Sequence, residues 1–333
     1  MGDIAKNPVL VTGAAGFIGH AVSVRLVERG ESVIGIDNLN DYYDPALKAA
    51  RLANLKALDG FRFIEMDVSD ADDVKTLVQT NGVQRIVHLA AQAGVRYSIE
   101  NPFAYQKSNL QGHLSLLEAS RHAHNFQHLV YASSSSVYGD KPMGGEGFTE
   151  EEPATDPVSL YAATKRSGEL MSQSYAKLYG FPMTGLRFFT VYGPWGRPDM
   201  AYFGFTKKIL AGESIEVYGQ GKMARDFTYI DDIVDGILGA LDHPPERHGH
   251  RILNIGDSRP VGLMDMIGAL EEALGVEAKK IMRPMQPGDV TATYADVSKL
   301  HALTGYAPKV MLEDGLKRFV SWYRDFYGNL PPE

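Results

Sequence analysis

Three glycines constrain the fold more than any other feature of this chain. Gly13, Gly16 and Gly19 stand at three-residue intervals in Val11-Thr-Gly-Ala-Ala-Gly-Phe-Ile-Gly19, directly behind the apolar run Val9–Thr12. Phe17–Glu28 then carries helical spacing. A strand that turns this quickly into a helix needs a residue without Cβ at Gly13. Gly16 lets the main chain approach a pyrophosphate at the helix N-terminus, where unpaired N–H groups favour an anion. Gly19 lets helix and strand pack closely. A merely tight strand-to-helix turn would ask for the same glycines. The strand before and the helix after give the triplet the context of a dinucleotide site.

The next apolar run, Ser32–Ile36, is followed by Asp37, 18 residues beyond Gly19. A carboxylate near that spacing accepts hydrogen bonds from both adenosine ribose hydroxyls and repels a 2′-phosphate, which points to NAD rather than NADP. Asn38-Leu39-Asn40-Asp41 adds no basic residue. Phe61–Met66, Arg85–Ala90 and His128–Ala132 repeat the apolar style. Helical stretches such as Phe103–His122 and Pro157–Tyr179 lie between and beyond them. Strands apolar at nearly every position, separated by helices, predict an α/β fold with a doubly wound parallel sheet covered on both faces. After about residue 180 the pattern loosens. Ser214–Tyr218, Asp226–Ile230 and Arg251–Ile255 alternate with proline-marked loops. The reading is a nucleotide domain over 1–185 and a smaller α/β substrate domain over 186–333, partly interleaved with the first.

The net charge of −8 opposes general binding to phosphate backbones, so no nucleic-acid partner is expected. Cysteine is absent, which removes disulfides and thiolate chemistry. His122, His124 and His128 lack ligand spacing, so no metal is expected. Met1–Pro8 has no apolar run of signal-peptide length, Lys6 departs from a myristoylation start, and no membrane-length apolar stretch follows. A cytoplasmic protein is expected.

Tyr161 and Lys165 are spaced i, i+4, which puts them on one face of a helix. A free phenol titrates near pH 10. A neighbouring ammonium stabilises the phenolate and makes a general base. Such pairs also arise by chance. The signal is strengthened by Ala132-Ser-Ser-Ser-Ser136, which ends an apolar strand 27 residues before Tyr161, counted from Ser134. Strand C-termini gather at the ligand crevice of a doubly wound sheet, so a serine there could hold the hydroxyl that Tyr161 deprotonates. A serine-rich loop without a role is the plainer alternative.

Taken with Leu186-Arg-Phe-Phe-Thr190, these motifs resemble the extended short-chain dehydrogenase/reductase family. Within it the chain is similar to the epimerases that act on UDP-glucuronate. The match is carried by HLAAQAGVRYSIENP (88–102), LYAATKR (160–166), LRFFTVYGPWGRPDM (186–200), RDFTYIDD (225–232) and MQPGDV (285–290). The resemblance implies a Rossmann-type domain, a smaller substrate domain, tightly held NAD⁺ and a homodimer. It implies that Tyr161 is the base, Lys165 its modulator and Ser134 the proton relay, with Ser135 and Ser136 beside it. Asp67 and Val68 fall at the adenine, with Phe17, Ile18, Asn38, Leu89, Ala90, Ala91 and Asn109 elsewhere along the cofactor. Thr190 and Arg197 match positions that hold the sugar carboxylate. Arg225 and Asp289 match UDP-binding positions, and Val217 and Arg96 complete the substrate set. On spacing alone Arg197 is equally a solvated loop charge, and Arg96 equally structural.

The two residues after Ser134 are serines, where related dehydratases carry an Asp-Glu pair and related decarboxylases a glutamate at the position of Ser136. Loss of water needs an acid and a base there; epimerisation needs neither. The expected reaction is therefore interconversion of UDP-glucuronate and UDP-galacturonate by oxidation at C4, rotation of the 4-keto sugar and hydride return. UDP-glucose epimerisation and UDP-glucuronate decarboxylation are the near rivals. A non-catalytic NAD-binding regulator is the distant one, and the intact Tyr161/Lys165 pair argues against it.

Overall fold

The computed structural model describes residues 7–140, 147–285 and 292–328. Its main sheet has seven strands: β1 Val9–Thr12, β2 Val33–Asp37, β3 Phe61–Glu65, β4 Arg85–His88, β5 His128–Ser134, β6 Met183–Phe188 and the later β10 His250–Ile255. Their spatial order is β10-β6-β5-β4-β1-β2-β3, and every neighbouring pair is parallel. The strand order reverses between β1 and β4, so the crevice of this doubly wound α/β fold opens at their C-terminal ends.

Successive strand residues point to opposite faces. Val9 and Val11 therefore enter one core cluster with Val87, Val130 and Leu186, while Leu10 enters another with Ile34, Ile86 and Leu129. Both faces are covered by helices, which is why β1 reads as apolar at nearly every position.

The remaining strands are β7 Thr190–Tyr192, β8 Ser214–Val217, β9 Ala224–Tyr229, β11 Pro260–Gly262, β12 Lys279–Met282 and β13 Ala292–Thr293. β9 gathers β7, β11 and β13, and β12 pairs with β8. This smaller layer faces the crevice from the other side. No described helix is long and apolar enough to cross a membrane.

Four local differences from the sequence reading bear on the site. β4 ends at His88, two residues early. Leu89 and Ala90 leave the ladder, and their N–H groups donate to Thr12 Oγ1 at 3.2 and 3.1 Å. β5 runs on to Ser134, so that serine stands at the strand tip. The expected single helix over Phe103–His122 is interrupted. Helix Pro102–Tyr105 passes into a π-helical turn, Gln106–Gln111, before Gly112–Arg121 resumes. Within that turn Asn109 faces inward. Its amide accepts from Gln92 N–H at 2.8 Å and donates to Gln92 C=O at 3.1 Å and Thr164 Oγ1 at 3.0 Å. Helix Leu160–Tyr179 starts later than Pro157 because Ser159 caps it, accepting from Ala162 N–H at 3.1 Å.

Candidate active site

Two cavities share a wall at the crevice. The first is lined by Gly13, Gly16, Phe17, Ile18, Gly19, Asp37, Asn38, Asp67, Val68 and Leu89–Ala91. At Gly13, φ is +71°, and a Cβ there would lie 2.8 Å from Ala90 N. A Cβ on Gly19 would meet Gly13 O at 2.0 Å. The backbone at this turn therefore tolerates only glycine. Helix Phe17–Glu28 begins at Gly16 without a side-chain cap. Its first-turn N–H groups have no intrahelical acceptor and remain for an anion.

Asp37 is tied in place. Its Oδ2 accepts from Ala15 N–H at 3.1 Å and its Oδ1 from Leu39 N–H at 2.8 Å. Lys48 Nζ stands 4.0 Å from Oδ1 and donates to Asn40 C=O at 2.8 Å. Lys48 escaped the sequence reading because it comes from a helix eleven residues on. Burial pushes the Asp67 carboxyl up, but hydrogen bonds from Ser69, Lys107 and Asn38 outweigh it and hold it at about 2. The fit to a dinucleotide is good: a Cβ-free cradle, unpaired first-turn N–H groups and a buried carboxylate at the second strand tip. Asn109 does not line the cavity; it braces the Gln92 backbone behind it.

Ser134, Tyr161 and Arg197 line both cavities, at the seam between them. Ser134 Oγ caps the short helix Ser135–Tyr138, accepting from Ser136 N–H at 3.2 Å. Lys165, which is buried, donates to Ala132 C=O at 2.8 Å, and its Nζ lies 5.9 Å from the centre of the Tyr161 ring. Burial pushes the Tyr161 phenol up, while a hydrogen bond with Ser134 and the charge of Arg197 draw it back. The sequence pointed to Lys165 for that effect. Burial, with Arg197 adding to it, lowers Lys165 to about 8.

The second cavity is lined by Arg96, Ser134, Ser135, Ser136, Thr190, Arg197 and Arg225. Arg96 lies over the Tyr218 ring, 5.6 Å from its centre. Val217 is different: its side chain is fully buried in the core, and its neighbours Glu216 and Tyr218 face the cavity. Strand alternation in β8 makes that choice. Asp289 lies outside the described residues. Among the described residues no cluster of His, Asp or Glu is arranged to hold a metal.

Three supporting groups had no signal in the sequence. Arg187 of β6 is buried against Glu169, which also accepts from Ser133 Oγ at 2.6 Å. Asp199 grips Arg197 by two hydrogen bonds. The fully buried Arg51 reaches across the fold. Its guanidinium donates to Ala15 C=O in the glycine loop at 3.1 Å, and to the carbonyls of Trp195 and Gly196 next to Arg197. Trp195 is held at φ +63°, a backbone region that non-glycine residues rarely adopt.

A parallel seven-stranded sheet, a glycine cradle at its switch point and a tyrosine–lysine pair beside it define a nucleotide-binding fold of the short-chain dehydrogenase/reductase type. The chain belongs to the NAD dependent epimerase/dehydratase family, whose model matches residues 9–256. It is 53% identical to a 37.6 kDa protein of Escherichia coli O111:H-, over 96% of this chain and 98% of that one. It is 48% identical to UDP-glucuronate 4-epimerase 3 of Arabidopsis thaliana, over 96% of this chain and 77% of that protein. The UDP-glucuronic acid 4-epimerase of Bacillus cereus, solved with UDP-glucuronic acid and NAD, superposes with a TM-score of 0.89 at 36% identity. That match covers 96% of this chain and all of the other.

Proposed function

We propose that this chain interconverts UDP-glucuronate and UDP-galacturonate. The observation that carries the reading is the seam. A phenol, a serine hydroxyl and a guanidinium converge where a cavity fitted to a dinucleotide meets a second cavity large enough for a sugar nucleotide. The relatives named for this activity support it.

Tyr161 Oη takes the proton from O4 of the sugar, with Ser134 relaying it. NAD⁺, when bound, would supply the acceptor for the C4 hydride and the source of its return. Gly13–Gly19, Asp37 and Asp67 hold that cofactor. Between the two transfers the 4-keto sugar turns about its pyrophosphate linkage and offers its other face, and Tyr161 reprotonates O4 with C4 inverted. A 4-keto-uronate is a β-keto acid. It loses CO₂ when the C5–carboxylate bond aligns with the carbonyl π orbital. Arg197 has the planar fork suited to a carboxylate and, with Thr190, holds that group out of this alignment. Arg96 and Arg225 serve the nucleotide end.

A homodimer and a cytoplasmic location belong to the same proposal. Phe103, Leu114, Leu170 and Leu178 are exposed apolar side chains on the paired helices around Gly112–Arg121 and Leu160–Tyr179. Sedimentation would give the oligomer directly.

Incubation of the purified protein with UDP-glucuronic acid, without added NAD, tests the activity by proton NMR. UDP-galacturonic acid as product supports the reading and shows that the cofactor travels with the protein. A UDP-pentose with CO₂ makes it a decarboxylase. Turnover of UDP-glucose alone makes it a neutral-sugar epimerase. Stoichiometric NAD binding with no turnover of any UDP-sugar makes it a dinucleotide-binding regulator.

A further inference from the structure

Arg197 is a carboxylate receptor that already carries a carboxylate. Its Nε donates to Asp199 Oδ1 at 3.0 Å and its Nη2 to Asp199 Oδ2. Tyr42 Oη steadies the same Oδ2 from 3.3 Å. Among the described residues Nη1 makes no hydrogen bond. Both side chains keep about a quarter of their surface open, 26% for Arg197 and 27% for Asp199, and both line the second cavity. The ion pair therefore faces the space where the sugar is proposed to sit.

Two requirements of the reaction conflict at this arginine. A uronate must be gripped so that it does not decarboxylate. The 4-keto sugar must also turn over between the two hydride transfers, and a carboxylate held by both prongs of a guanidinium cannot turn. If the sugar carboxylate simply let go, a cation would be left desolvated in the cleft, which is costly. Asp199 is already placed to take that cation back. Exchanging one carboxylate for another keeps Arg197 paired at every stage.

We infer that Asp199 is the exchange partner of the substrate carboxylate. It yields Arg197 when the uronate docks and reclaims it while the sugar turns. The inference rests on the epimerase reading. It makes Asp199 a positioning residue acting through Arg197, and a determinant of selectivity between uronates and neutral hexoses. An internal competitor lowers apparent affinity in proportion to how often it occupies the site. Only a ligand bearing a carboxylate experiences that competition.

The test compares the unsubstituted protein with Asp199→Asn and Asp199→Glu. Calorimetry gives affinities for UDP-glucuronate and UDP-glucose, and rapid-quench single turnover gives the interconversion rate of bound uronates, free of product release. For Asp199→Asn, UDP-glucuronate should bind about three- to tenfold more tightly, the gain expected when a partly exposed ion pair stops competing. UDP-glucose affinity should stay fixed, which also reports that the variant is folded. The bound interconversion should slow at least tenfold, and Asp199→Glu should restore much of that rate. Tighter binding with an unchanged rate would reduce Asp199 to a source of repulsion and overturn the exchange. Weaker uronate binding would overturn it too, making Asp199 only a brace for Arg197. Should Asp199→Asn lose UDP-glucose binding as well, Asp199→Glu decides alone: a rate and uronate affinity equal to the unsubstituted protein's uphold the exchange, and a weakened affinity overturns it. No turnover by the unsubstituted protein would sink the epimerase reading, and the calorimetric comparison would still decide whether Asp199 competes for Arg197.

Discussion

Glu169 holds Arg187 by both prongs, Nε to Oε1 at 2.8 Å and Nη2 to Oε2 at 2.9 Å, and each side chain is almost wholly out of water. The pair ties β6 to helix Leu160–Tyr179, and through Ser133 it also fixes the tip of β5. It therefore sets the distance between the strand that carries Ser134 and the helix that carries Tyr161. Removing one partner leaves the other as a buried uncompensated charge. Glu169→Ala should cost about 3–5 kcal/mol of stability, read as a fall in the denaturant midpoint. A midpoint within error of the unsubstituted protein would refute the role.

Tyr161→Phe removes the phenol and keeps the ring. Epimerisation should fall by about 10²–10⁴-fold, the usual contribution of a positioned general base, while UDP-sugar affinity changes little. Lys165, lowered to about 8, keeps its ammonium below that pH and loses it above. The alkaline limb of kcat/KM should therefore fall near pH 8. In Lys165→Arg, which stays charged, that limb should move upward. A limb that stays in place would assign it to another group.

Arg197→Ala releases the uronate carboxylate from its fork. KM for UDP-glucuronate should rise by about tenfold or more, as for a lost charge-assisted bidentate contact. A fraction of the 4-keto sugar should lose CO₂ and emerge as UDP-pentose, visible by NMR. Unchanged KM and a single product would remove Arg197 from substrate binding.

The fold should weaken on mild acidification. Burial lowers His20, His128 and His250 to about 4 and His113 to about 3, and holds His88 well below its usual value. In the unfolded chain these imidazoles titrate near 6.5. Between pH 6.5 and about 4 the unfolded state therefore binds more protons, and stability falls as pH falls. Each pKa unit is worth about 1.4 kcal/mol, so several such histidines together rival a typical folding stability of about 5–15 kcal/mol. Asp257, raised to about 6 by burial, acts in the opposite direction, as do Glu150, Asp226 and Asp231, whose carboxyls burial also raises, and together they offset part of the loss. A melting temperature that stays flat between pH 7 and 5 would contradict this.

Local features of the fold were legible in the sequence wherever one residue's geometry decides them. Gly13 and Gly19 had no alternative once the turn was tight, and Asp37 followed from strand length. The helix carrying Tyr161 was visible in its spacing. What escaped depended on distant partners. Lys48 and Arg51 sit on helix Pro45–Lys56, and both are buried because the loops they support fold over them. Asn109 read as a cofactor contact and became a brace for Gln92, since the π-helical turn that aims it inward leaves no mark in apolar periodicity. Val217 differs from its cavity-facing neighbours only by strand phase, which the short, irregular run Ser214–Tyr218 did not fix.

The clamp made by Arg51 has a thermodynamic consequence. One rigid guanidinium grips the loop that cradles the dinucleotide and the loop that presents Arg197. Neither loop can shift without disturbing donors that serve the other. By linkage, whatever free energy a sugar nucleotide passes through this guanidinium to the dinucleotide loop is matched by what the cofactor passes back.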